Sequence, residues 1–107
     1  MRSESLVFLR SLLDTPSPSG FERDGQRIWL SYVRANGATR TWNDAYGNCF
    51  AELAATERGA GEPLTIAVCG HADEIGLMVN HFDSNGFVYC KQIGGIDAGS
   101  IVGKRVQ

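Results

Sequence analysis

Close to Gly37 the hydrophobic period of this chain drops from about 3.6 residues to about 2, which orders its structure as helices first and strands after. Leu6, Leu9, Leu12 and Leu13 recur at helical spacing, and Val7 and Phe8 widen the stripe. Ser3 or Ser5 is expected to cap this helix, and Asp14-Thr15-Pro16-Ser17-Pro18 to end it, because a residue before proline is pushed out of the α region. Ser19 and Glu22 have the spacing of a capping box, which predicts a second helix opening at Ser19. Phe21, Ile28, Trp29, Tyr32 and Val33 share one face of it, and Asn36-Gly37 closes it.

Beyond that point, Thr39 to Trp42 and Cys49 to Leu53 read as strands around Asp44-Ala45-Tyr46-Gly47-Asn48. Gly59-Ala60-Gly61-Glu62-Pro63 is a turn-rich connector. Leu64-Thr65-Ile66-Ala67-Val68-Cys69 is the most apolar short run. With Gly70 it predicts a strand covered on both faces. Ile75 to His81 and Phe87 to Gln92 flank Asp83-Ser84-Asn85-Gly86, whose Asn-Gly pair favours a hairpin turn. Ile101 to Val106 reads as the start of another strand. The expected fold class is α/β, with later helices of the layer missing from this stretch. A boundary is expected near Glu74, where helix-plus-sheet gives way to an antiparallel hairpin of different character.

Composition narrows the partners. A formal net charge of −2, with basic residues dispersed along the chain, offers no footprint for nucleic acid. The longest apolar run falls far short of the ~20 residues that cross a bilayer, and the N-terminus lacks a signal-peptide pattern, so a soluble cytoplasmic protein is expected. Cys49, Cys69 and Cys90 show no C-x-x-C spacing, and their odd number suits reduced thiols. Cys49 and Cys90 read as core residues. Trp29 and Trp42 read as packing residues and Asp97 as a loop residue.

The chemistry concentrates in His71-Ala72-Asp73-Glu74, just after the apolar run. In an extended segment residues i and i+2 point to one side, so His71 and Asp73 become neighbours. A metal-bound histidine usually donates its other ring N–H to such an acceptor. The bland alternative is a His–Asp hydrogen bond that ties down a loop. Glu74 points the other way, against a glycosidase pair facing one sugar, and suits a backbone amide or an arginine as well as chemistry. A Cys69–His71 nucleophile is conceivable, but no oxyanion hole accompanies it. His81 alternates with Ile75, Leu77 and Val79 and is expected on their apolar face. Gly94-Gly95 has no Lys-Ser/Thr after it and is no phosphate loop.

Taken in order, Pro16-Ser17-Pro18-Ser19-Gly20-Phe21-Glu22, Asp44 with Gly47-Asn48, Gly70-His71-Ala72-Asp73-Glu74-Ile75-Gly76-Leu77-Met78-Val79, Phe87, Ile93-Gly94-Gly95-Ile96-Asp97 and Gly103-Lys104-Arg105-Val106 resemble one family. It is that of the dinuclear metallo-aminopeptidases that assemble into tetrahedral particles, labelled glutamyl or deblocking aminopeptidases or endoglucanase-like proteins. The resemblance implies that His71 ligates one of two divalent ions, zinc or cobalt, and that Asp73 is the catalytic-site carboxylate supporting it. It implies that residues 1–73 begin an α/β zinc-peptidase-like catalytic domain and residues 74–107 an inserted β domain used for assembly into a homo-oligomer. The substrate implied is a peptide, cut after an N-terminal residue. The family's bridging carboxylate, adjacent Glu pair, further Asp and final His have no counterpart here. The expectation is an N-terminal fragment that is inactive and holds no metal stably unless a second polypeptide completes it. The competing expectation is a non-catalytic assembly or partner-binding module that keeps the fold.

Overall fold

The computed structural model describes residues 2–57, 61 and 64–106. Helix α1 spans Ser3–Leu13 and α2 Arg23–Ala35. They are followed by strands β1 (Arg40–Asn43), β2 (Cys49–Glu52), β3 (Gly76–Phe82) and β4 (Val88–Ile93), and by a 3-10 turn at Ala98–Ile101. The architecture is mixed α and β, with each sheet an antiparallel pair, β1–β2 and β3–β4.

Helix α1 packs on α2, and α2 on β1 and β2. Leu30 on α2 is buried at 7% exposure, and the Phe8 and Tyr32 rings stack 3.8 Å apart between the helices. The helix ends differ from the sequence expectation at their starts. Arg2 and Glu22 stand at the two N-caps, and neither gives a side-chain cap. Thus neither Ser3 nor Ser5 caps α1, and the Ser19–Glu22 capping box does not form. The Glu22 carboxylate instead accepts the Gly20 N–H at 2.7 Å. The α2 terminus does follow its sequence: Gly37 takes φ +96°, and the Ala38 N–H returns to the Val33 carbonyl at 3.0 Å, the bond that glycine's left-handed conformation permits.

The two hairpin loops are built alike. Asp44 Oδ1 accepts the N–H groups of Tyr46 and Asn48, and Asp83 Oδ1 those of Asn85 and Phe87, all at 2.9 Å. In each loop the glycine three residues after the aspartate takes φ +87° and donates its N–H to the aspartate carbonyl at 3.2 Å. This is a turn followed by a left-handed glycine, a three-residue connection. The hairpin turn expected at Asp83-Ser84-Asn85-Gly86 thus forms, with Gly86 as its left-handed residue.

A bulge between Val79 and His81 leaves Asn80 unpaired in β3. Before it Leu77 and Val79 lie opposite Gln92 and Cys90; after it Phe82, not His81, lies opposite Val88 on that face. His81 shifts to the other face, opposite Tyr89, with the rings 5.8 Å apart. The expected apolar setting for His81 is therefore corrected. So is the core setting for Cys90, which is exposed, while Cys49 is half-buried.

Two expected strands do not form. Leu64–Gly70 has no strand pairing, and Leu64, Ile66 and Val68 are 76–94% exposed. A strand exists only through hydrogen bonds to a neighbour, and no described segment pairs with this run. At residues 101–106 the backbone turns, because the Asp97 side chain accepts the Gly99 N–H and its carbonyl the Ser100 N–H, which starts a 3-10 turn. The connector expected at 59–63 lies, apart from Gly61, outside the described residues. β3–β4 packs against no other described element. The radius of gyration is 19.1 Å, against about 13 Å for a compact domain of this length.

Candidate functional site

The site forms where the link after α1 meets the chain entering β3. Ser17 and Glu74 exchange two hydrogen bonds: the Glu74 N–H donates to the Ser17 carbonyl at 2.9 Å, and the Ser17 N–H donates to Glu74 Oε1 at 2.8 Å. Pro18 and Glu74 make a parallel bridge. Ser17 is buried at 6% exposure, its hydroxyl donating to the Thr15 carbonyl. Two glycines permit the approach: a Cβ on Gly76 would fall 2.9 Å from Pro18 Cβ, and one on Gly25 2.5 Å from Ser17 Oγ. Glu74 thus holds a backbone amide, one of the roles open to it from sequence.

This bridge sets His71 and Asp73 beside the same loop. His71 Nδ1 lies 2.8 Å from the Asp73 carbonyl oxygen and 3.1 Å from Asp73 Oδ1. Both neighbours are acceptors, so Nδ1 carries a proton. The His71 side chain is 86% exposed, which leaves Nε2 open to an incoming group. Asp73 Oδ2 accepts the Ser19 hydroxyl at 2.5 Å. That hydroxyl first, and the His71 ring second, hold the Asp73 carboxyl below the usual carboxylate range. The structure brings His71 and Asp73 together as the sequence spacing suggests. Ser19, expected from its spacing to Glu22 as a helix cap, is instead a residue of this site.

Other candidates stay apart. Cys69 and His81 are exposed, and among the described residues neither shares a hydrogen bond with the His71–Asp73 pair. Among the described residues no three His, Cys, Asp or Glu side chains come together as a metal cage. A zinc centre that performs catalysis ordinarily takes three protein ligands. The described residues therefore fit one ligand with its supporting carboxylate, and not a whole metal site. No described helix is long and apolar enough to cross a membrane.

Comparison with known proteins gives this pair a setting. Over 99 residues the chain is 27% identical to a lysyl aminopeptidase of Pyrococcus furiosus, covering 92% of this chain and 27% of that protein. It is 36% identical over 64 residues to a putative aminopeptidase of Acetivibrio thermocellus, covering 60% of this chain and 18% of that protein. It is 33% identical over 98 residues to the putative aminopeptidase SgcX of Escherichia coli, covering 88% of this chain and 25% of that protein. The class is thus that of aminopeptidases. Within it, the chain belongs to the M42 glutamyl aminopeptidase family, whose model matches residues 51–107. The chain spans about a quarter or less of the length of these relatives.

Proposed function

We propose that residues 1–107 are the N-terminal part of a metal-dependent aminopeptidase acting on peptides, and that they supply His71 as a ligand to one of two divalent ions, zinc or cobalt. Asp73 is the carboxylate that orients His71. One observation carries the reading: Nδ1 of His71 faces two acceptors while Nε2 is open, the state in which a histidine ligates. When bound, such ions act as Lewis acids on the peptide carbonyl. The chain's own part is to hold one imidazole in one tautomer and one orientation. Because the described donors fall short of three, residues 1–107 alone are proposed to be inactive, with the other ligands and the general base supplied by further polypeptide.

The same reading takes 1–73 as the opening of the catalytic α/β domain and 74–107 as the opening of an inserted β domain used in homo-oligomeric assembly. It is supported by the independence of β3–β4 from the other elements. Three free cysteines suit a reducing cytoplasm. A purely assembly-forming module is the second reading. It is favoured by the uncovered face of β3–β4, where Val79, Phe82 and Val88 are 49–63% exposed.

Zinc titration of the chain, followed by the ¹⁵N resonances of His71, tests the reading together with an aminoacyl-anilide assay. The expected result is a response at Nε2, none at Nδ1, and no turnover. No response at Nε2 favours the assembly module. Two metals held stoichiometrically by residues 1–107, with turnover that His71→Ala abolishes, overturns the claim that this stretch is inactive alone.

A further inference from the structure

We propose that Ser19 is a positioning residue for the His71 imidazole, acting through Asp73; the proposal rests on the ligand role given to His71 above. An ionised carboxylate only accepts hydrogen bonds, and here its two oxygens are divided between two donors. Oδ1 faces His71 Nδ1 at 3.1 Å, and Oδ2 takes the Ser19 hydroxyl. The division matters because the terminal torsion of aspartate is soft and roughly two-fold. A carboxylate with a donor on one oxygen alone can swing its plane away from the ring. Donors on both oxygens fix that plane, and with it the side of the ring that stays open.

Ser19 can do this because its own position is determined from outside the site. Ser17 and Glu74 exchange two hydrogen bonds, Pro18 sits against Gly76, and Ser17 is buried against Gly25. The hydroxyl two residues on from Ser17 is therefore carried on a docked segment. The His71 side of the pair has no such support of its own. Residues 64–73 form no helix or strand, and among the described residues the hydrogen bonds that tie 64–74 to distant parts of the chain all end on Ser17 or Ser19. The Asp73 carbonyl, which shares the His71 N–H, belongs to the same segment and depends on the same anchor. Ser19 thus joins the helical part of the chain to Asp73 across 54 residues of sequence, and through Asp73 to the ring.

The test uses the 107-residue chain without metal, at a pH where histidine is neutral. Long-range ¹H–¹⁵N correlation spectra report which ring nitrogen of His71 carries the proton, and backbone heteronuclear NOEs report the order of residues 71–73. The wild-type chain is expected to hold the Nδ1–H tautomer in excess. In Ser19→Ala the Nδ1–H to Nε2–H ratio is expected to fall about fivefold, the worth of one net hydrogen bond, and the NOEs of 71–73 to drop. Ser19→Thr keeps the hydroxyl and is expected to restore both. Unchanged tautomer ratio and order in Ser19→Ala would overturn the proposal, as would a loss that Ser19→Thr fails to rescue while Ser17 remains docked to Glu74. The readout involves no metal, so it stands or fails separately from zinc binding at Nε2.

Discussion

Replacing Glu74 by alanine removes the acceptor of the Ser17 N–H and leaves that amide, on a residue 6% exposed, with no partner. A hydrogen bond to a charged acceptor contributes ~1.5–3 kcal/mol net, and an amide left unsatisfied in a buried place costs ~1–3 kcal/mol. Glu74 itself is exposed, so water screens the charge and the low end applies, at ~1–2 kcal/mol. Native-state hydrogen exchange reads this locally, as the free energy of opening at one amide. The Ser17 amide is therefore expected to exchange roughly 5- to 30-fold faster in Glu74→Ala. The Glu74 position's own N–H, bonded to the Ser17 carbonyl, should accelerate by the same factor, because one opening breaks both bonds. Glu74→Gln keeps a carbonyl acceptor and should lose about half as much free energy. The Ala38 amide, which closes α2 far from the bridge, serves as the control and should not change. Ser17 exchange within twofold of wild type in Glu74→Ala would show that the bridge does not depend on this carboxylate. Separate rates at the two amides would show that they do not open together.

Gly76→Ala should cost ~1–3 kcal/mol of overpacking despite alanine's lower backbone entropy, since its Cβ meets a proline ring carbon that cannot rotate away. Pro18→Gly should relieve part of it, read as a non-zero coupling in a double-mutant cycle by amide exchange. The Asp44 carboxyl is held below its ordinary range, first by the Asn48 side chain, with burial opposing, and then by the backbone N–H groups of Asn48, Tyr46 and Gly47. Its contribution to the β1–β2 loop is thus full above the unfolded carboxyl pKa and is lost as pH falls through the lower folded value. Amide shifts of Tyr46 and Asn48 should follow that loss, and Asp44→Asn should abolish the titration. Burial pushes the Cys49 thiol up, with the Asn43 side chain opposing, whereas Cys69 and Cys90 are exposed. Iodoacetamide at mildly alkaline pH should label Cys49 last, by mass spectrometry of timed digests.

Local signals carried most of what the sequence made legible. Both helices follow from side-chain periodicity, and Asn36-Gly37 ends α2 because only a left-handed residue lets Ala38 reach back to Val33. All four strands found lie within a residue of their expected places, since each pairs with its immediate sequence neighbour. The turn chemistry is local as well, and the hairpin expected at Asp83–Gly86 forms. Asp44 with Gly47 and Asp83 with Gly86 share one Asp-x-x-Gly spacing, and that repeat specifies the loops. The bulge at Asn80 has no signal in alternation, which therefore puts His81 on the face that Phe82 occupies. The run from Leu64 to Cys69 shows the limit of composition. Its residues suit a covered strand, but a strand is a relation between two segments, and the apolar run contains only one of them.

The candidate site shows the same limit in its chemistry. The i, i+2 spacing of His71 and Asp73 is local, so their meeting could be read from sequence. The meeting of Ser19 with Asp73 spans 54 residues, and that of Ser17 with Glu74 spans 57. Local reasoning has a good competing use for Ser19. Ser19-x-x-Glu22 has the form of a capping box, and a helix start has unpaired N–H groups to offer. One oxygen cannot be placed at two sites. Once Pro18 lies against Gly76, the Ser19 hydroxyl stands beside an ionised carboxylate and donates to it, a charge-assisted bond stronger than a neutral one to a helix amide. The helix start is left to Arg23, and Glu22 turns to Gly20. Pro16-Ser17-Pro18-Ser19-Gly20 is thus less a helix opening than a docking strip. Its buried Ser17 and its two close glycine contacts are the marks of a segment whose position matters to residues far from it in sequence.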